Sequence, residues 1–286
     1  MNEELHESKD NKPIPMTSIT SGLGQEVIND VYYYTDQIVN LCFIGFPKEG
    51  EWVLIDAGLP NAAKEIRSTA EERFGKDNKP SAIILTHGHF DHVGGLVELV
   101  EEWDVPVYAH ELELPFLTGE KSYPRPDASV EGGMLAKISG MYPNEPINLG
   151  NKIKPLPDDN RIPGLDDWKW IHTPGHSPGH ISIFRENDSI LLSGDAFITV
   201  RQDKMYNVLM QSEEVNGPPR YLTTDWQAAK ESVEKLAALQ PDTVIPGHGS
   251  PMQGDKLTKG LKKLVEKFDQ LAVPDYGRFV DDSKKH

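Results

Sequence analysis

Six consecutive residues, His87-Gly88-His89-Phe90-Asp91-His92, carry four side chains of the kinds that bind divalent metal ions. Imidazole nitrogen and carboxylate oxygen are natural donors to zinc and related ions, and glycine lets the backbone turn sharply enough to aim several of them inward. In an extended segment His87 and His89 project to one side, while Asp91 and His92 lie beyond a turn and can face a second ion. A lone histidine pair is often structural. Four ligand types in six positions, with partners downstream in His176, Asp195 and His248, point instead to a metal centre.

These ligands need rigid supports, and the flanking sequence supplies apolar strands just ahead of the histidine loops. Residues 27–34, 37–45 and 52–57 have strand composition, with a turn at Lys48-Glu49-Gly50. Residues 61–74 carry Ala63, Ile66, Ala70 and Phe74 at helical spacing, and the apolar strand 82–85 leads into His87. A helix over 93–100 and a strand over 105–109 continue a strand, helix, strand order. Strands are expected again at 168–172, 181–185, 189–192 and 243–245. Helices are expected at 225–239, capped by Thr224 or Asp225, and at 257–271.

Two stretches stand apart. Residues 1–14 are polar and predict a disordered or loosely attached tail, leaving 15–286 as a single domain. Residues 115–167 are rich in Pro and Gly, with one helical candidate near 130–141, and read as an inserted cap. Its apolar members Phe116, Tyr123, Met134 and Tyr142 are expected to pack the insert onto the domain, with pocket lining as the other role.

The 286 residues carry 29 Lys plus Arg against 45 Asp plus Glu, a formal charge of -16. A surface of that sign disfavours nucleic acid and anionic membranes but does not decide the substrate, which is expected to be a small molecule. The single cysteine, Cys42, lies in an apolar strand and is expected to act as a small hydrophobe. With no secretory signal and no apolar run long enough to span a bilayer, the expected location is cytoplasmic. The oligomeric state is left open.

Thr86-His87-Gly88-His89-Phe90-Asp91-His92 resembles the signature of the metallo-β-lactamase superfamily. Val53-Leu54-Ile55-Asp56-Ala57-Gly58, Thr173-Pro174-Gly175-His176-Ser177-Pro178-Gly179-His180, Ser193-Gly194-Asp195 and Pro246-Gly247-His248-Gly249 resemble its other motifs, in order. The resemblance implies an α+β fold, a four-layer αββα sandwich, with the metals at one edge of the two sheets. It implies two divalent ions, zinc first, with manganese and iron as other candidates. His87, His89 and His176 would hold one ion, Asp91, His92 and His248 the other, and Asp195 would bridge them. The implied chemistry is attack on an ester, thioester or lactone carbonyl by a metal-bridging hydroxide. Asp91 would also shuttle a proton to the leaving group. Asp56 is expected to accept a hydrogen bond from a ligand loop, with turn capping as the competing role. His110, His172 and His180 are expected to be structural or to support the ligands, and His6 and His286 to have no role in the site.

In ligand set the chain is similar to glyoxalase II-like and lactonase-like branches, yet it departs from both. Lactonases place a tyrosine three positions after the bridging aspartate, where Ile198 stands here, unless Tyr206 or a tyrosine of the insert substitutes. Residues 196–208 lack the glycine-rich, basic pattern that glyoxalase II uses for glutathione. A mononuclear non-haem iron enzyme like the persulfide dioxygenases is the alternative chemistry, and a non-catalytic binding module on the same fold the alternative outside catalysis.

Overall fold

The computed structural model describes residues 5–10, 18–48, 50–130, 136, 139–200 and 213–280. Met134, Tyr206, His286, most of the helix expected at 130–141 and part of the expected tail lie outside the described residues. The chain divides into two compact units, one made of Met1–Pro124 with Pro143–Trp168 and the other of Arg125–Tyr142 with Lys169–His286. The expected insert contributes to both.

In the first unit, β1 (Gly24–Ile28), β2 (Val31–Asp36), β3 (Val39–Ile44), β4 (Val53–Ile55), β5 (Ala82–Ile84), β6 (Val107–Ala109) and β7 (Ile153–Pro155) form a sheet in chain order. The first four pair antiparallel, and β4 through β7 are parallel. Residues 27–34, expected as one strand, are two, because the chain reverses at Asn29-Asp30 with Ile28 opposite Val31. Asn and Asp tolerate the backbone angles of such a tight turn. Parallel pairing demands crossovers, which are α1 (Ala63–Phe74) before β5 and α2 (Phe90–Val93) with α3 (Leu96–Trp103) before β6. Ala63, Ile66, Ala70 and Phe74 share one buried core with Leu54 and Ile83 of the sheet and Leu96 and Leu99 of α3. Trp52 stacks on Phe74 with ring centres 4.4 Å apart, tying α1 to the strand that ends at the site. The carboxyl ends of β4 and β5 therefore deliver Asp56 and residues 85–92 to one edge, where open parallel sheets bind ligands.

After β6 come a single 3-10 turn, Glu111–Glu113, and α4 (Leu114–Leu117). In the segment expected as a tail, His6 and Asn148 exchange backbone hydrogen bonds, and Asp10 accepts from the Asn144 amide. The short strand β8 (Arg161–Ile162) precedes β9 (Leu165–His172), along which the chain passes into the second unit.

There, β10 (Ile181–Arg185), β11 (Ile190–Gly194), β14 (Thr243–Pro246) and β15 (Met252–Gln253) follow in the sheet order β15-β14-β11-β10-β9. A separate pair is formed by β12 (Ile198–Val200) and β13 (Glu213–Asn216). Strands β11 and β14 are parallel, and α5 (Trp226–Ala238) is their crossover. Asp225 is its cap, accepting from the Ala228 amide at 2.9 Å. The helix expected at 257–271 is α6 (Gly254–Glu266) followed by α7 (Phe268–Leu271). Val233 and Leu236 of α5 and Leu257, Leu261 and Leu264 of α6 share a core with Leu191 and Val244. Asp195 and His248 follow the carboxyl ends of the two parallel strands, repeating the logic of the first unit. Among the described residues no helix is long and apolar enough to cross a membrane.

Candidate metal centre

Asp56 organises the candidate ligands of the first unit. It sits just past β4 with φ +62°, a left-handed conformation that Asp tolerates better than most side chains. Its Oδ1 accepts from the Thr86 amide, and its Oδ2 from the Thr86 hydroxyl and from His92 Nδ1, each at 2.8 Å. A carboxylate only accepts, so the His92 proton lies on Nδ1 and the ring offers its Nε2 lone pair as the ligand atom. The Thr86 hydroxyl, having donated to Asp56, accepts from His87 Nδ1 at 3.1 Å. His87 is thereby set to the same tautomer. The expected contact between Asp56 and a ligand loop is present, and it reaches two histidines rather than one.

His87, His89, Asp91 and His92 are all buried. The His87 ring lies 4.6 Å from that of His89, edge to face, and 4.2 Å from that of His92. Ligand atoms of His87 and His89 fall within 4.8 Å of one another, as do those of Asp91 and His92. A glycine allows this approach. A Cβ on Gly94 would lie 2.1 Å from backbone atoms of Leu59 and Pro60, so only glycine lets α2 run against the turn after β4 and bring His92 to Asp56.

In the second unit, Gly175 has φ +128°, and a Cβ there would lie 2.3 Å from the Ala229 amide nitrogen. The loop after β9 thus sits tightly on the start of α5. Beside it, Thr223 donates its hydroxyl to Pro219 O at 2.8 Å and accepts from His176 Nδ1 at 3.2 Å. His176 Nε2 then points at Asp195, 3.3 Å from Oδ2, and His248 Nε2 is also 3.3 Å from that oxygen. His180 accepts from the Asp195 amide at 2.9 Å through Nε2 and donates through Nδ1 to Thr173 O at 3.1 Å, which fixes the backbone at Asp195. His172 donates to Pro178 O, and His110 accepts from the Leu112 amide at the 3-10 turn. All three of these histidines have supporting contacts in place.

This donor set fits a divalent cation. With its Nδ1 proton given to Thr223, His176 turns an Nε2 lone pair toward the Asp195 oxygen 3.3 Å away, an approach that a cation among the donors would relieve. That spacing is the edge of a tetrahedron whose ligand bonds are about 2.0–2.1 Å long, roughly the lengths zinc makes to nitrogen and oxygen. The donors are nitrogen and oxygen with no thiolate, which suits zinc, manganese or iron.

The structure adds Glu113, which the sequence did not single out. It is fully buried, and its Oε2 accepts from the Gly88 amide at 2.9 Å and from the Tyr123 hydroxyl. Nothing in His110-Glu111-Leu112-Glu113 separates it from its exposed neighbour Glu111; its partners lie 25 residues before it and 10 after it. Burial, and then the charge of Glu113, push the Tyr123 phenol well above its ordinary pKa. Ile198 is buried in β12 opposite Asn216.

The family model described as the metallo-beta-lactamase superfamily matches residues 34–248. The chain is 46% identical over 261 residues to the probable metallo-hydrolase YflN of Bacillus subtilis (strain 168), covering 90% of this chain and 98% of the relative. It is 26% identical over 211 residues to hydroxyacylglutathione hydrolase GloC of Haemophilus influenzae, covering 73% and 85%. Among solved structures, TTHA1623 in a di-iron-bound form aligns with a TM-score of 0.52 at 30% identity, covering 75% of this chain and 89% of that one.

Proposed function

Because the chain belongs to the metallo-β-lactamase superfamily of α+β metallo-hydrolases, we propose that its seven ligand residues serve one dinuclear centre that hydrolyses an ester, thioester or lactone carbonyl. In this reading His87, His89 and His176 hold one ion, Asp91, His92 and His248 hold the other, and Asp195 bridges them. The observation that carries it is the pair of imidazole nitrogens, from His176 and His248, each 3.3 Å from one oxygen of Asp195. Further support comes from the matched span, which contains all seven residues, and from their burial.

Two divalent ions in such a centre lower the pKa of water and polarise a carbonyl oxygen. The protein's own groups do the rest. Asp56 keeps the Nδ1 protons of His87 and His92 in place, directly and through Thr86, so that both rings present Nε2. His180 holds the Asp195 backbone, and with it the carboxylate between His176 and His248. Asp91 takes up the proton released on attack and returns it to the leaving group.

The di-iron-bound form of TTHA1623 supports the two-ion reading, with iron as a candidate alongside zinc. The name of GloC supports a thioester among the substrates. The test is a panel of lactones, thioesters, aryl esters and phosphotriesters offered to the zinc- and iron-loaded protein. Turnover of carbonyl substrates is expected; activity confined to phosphoesters would overturn the carbonyl mechanism.

A further inference from the structure

Glu113 is a buried acid that the proposed chemistry does not use. Burying a carboxyl group is costly unless it is well hydrogen-bonded. Its partners lie at the metal loop: Glu113 Oε2 accepts from the Gly88 amide at 2.9 Å and from the Tyr123 hydroxyl, and the same amide reaches the Tyr123 oxygen at 3.0 Å. Gly88 is the residue between His87 and His89. The Tyr123 ring lies between Phe116, stacked at 4.0 Å, and the imidazole of His89 at 4.4 Å. A Cβ on Gly88 would come within 2.6 Å of the Tyr123 hydroxyl, so loop and brace are fitted to each other.

From this geometry we infer that Glu113 and Tyr123 are positioning residues that clamp the His87-Gly88-His89 segment and set the affinity of the ion held by His87 and His89. The inference rests on the metal-centre reading above and adds a device to it. Rotation of the Gly88 peptide would swing the two imidazoles apart, and its N–H is held by a buried carboxylate. The His89 ring is backed by an aromatic face that is itself stacked. Tyr123 and Phe116 both come from the 115–167 segment, so this part of the chain supports the ligands from its own unit.

The test is stepwise Zn(II) titration of the metal-free full-length protein against a competing chelator. His89→Ala and Asp91→Ala assign the two binding steps. Glu113→Ala and Tyr123→Phe are expected to weaken the step lost in His89→Ala by about 10–100-fold, the usual cost of removing a group that orients a ligand, and to leave the other step unchanged. Glu113→Gln keeps an acceptor for the Gly88 amide and is expected to retain most of the affinity. Unchanged affinity in both weakening variants overturns the inference, and so does equal loss at both steps, which would mean general loosening. Should metal-free Glu113→Ala fail to melt cooperatively, Tyr123→Phe and Glu113→Gln decide the matter. A wild-type protein that takes up one ion refutes the two-ion reading alone, because the brace is then judged on that ion's affinity.

Discussion

Asp56 supports two histidines of the proposed centre without being one of its proposed ligands. Replacing it with Ala removes the acceptor for His92 Nδ1 and for the Thr86 hydroxyl that orients His87. Metal affinity is expected to fall about 10–100-fold, measurable by chelator competition; an unchanged affinity would reduce Asp56 to a turn cap. Asp195→Ala is expected to abolish hydrolysis while leaving far-UV circular dichroism intact, and retained activity would refute the bridging role. Cys42 is fully buried and burial pushes its thiol far up, so it should resist a thiol reagent in the native protein and react once unfolded. The candidate metal-binding run was legible because His87 to His92 concentrates ligand types within six residues. Glu113 was not legible, because its role depends on Gly88 and Tyr123, which only folding brings beside it.

Elements place these residues through close backbone contacts that leave a weaker trace in composition. Gly94 shows the point: Ala there would collide with the backbone at Leu59 and Pro60, and the helix carrying Asp91 and His92 would have to move. Gly94→Ala is expected to cost about 1–3 kcal/mol and to weaken metal uptake as well, whereas a stability loss with metal binding intact would separate α2 from the ligand geometry. Asp225→Ala removes the cap of α5 and is expected to cost about 1 kcal/mol, a melting-temperature drop of about 2–4 °C without loss of metal. Apolar spacing made α1 and α5 readable almost to their ends. Strand ends were harder: Asn29-Asp30 splits what composition presents as one strand, since β-forming residues lie on both sides of the turn. The segment 257–271 reads as one helix for the same reason, its apolar spacing running past the break after Glu266.

At the scale of the whole molecule, charge and family membership bear on substrate. With a formal charge of -16, an anionic ester should meet repulsion that a neutral one does not, so added salt is expected to raise kcat/KM for the anionic member of a matched pair and leave the neutral one nearly unchanged. The family was readable from residues alone, because its motifs demand particular side chains at particular positions. Substrate choice was not, since it depends on the shape of the surface around the site, which composition does not fix. The measurement that tests the central claim most directly is the metal content of the purified protein and of its Asp195→Ala variant, by elemental analysis after dialysis. The account predicts close to two divalent ions per chain in the wild type and fewer in the variant. One iron with no second metal in the wild type, or two ions retained without Asp195, would contradict it.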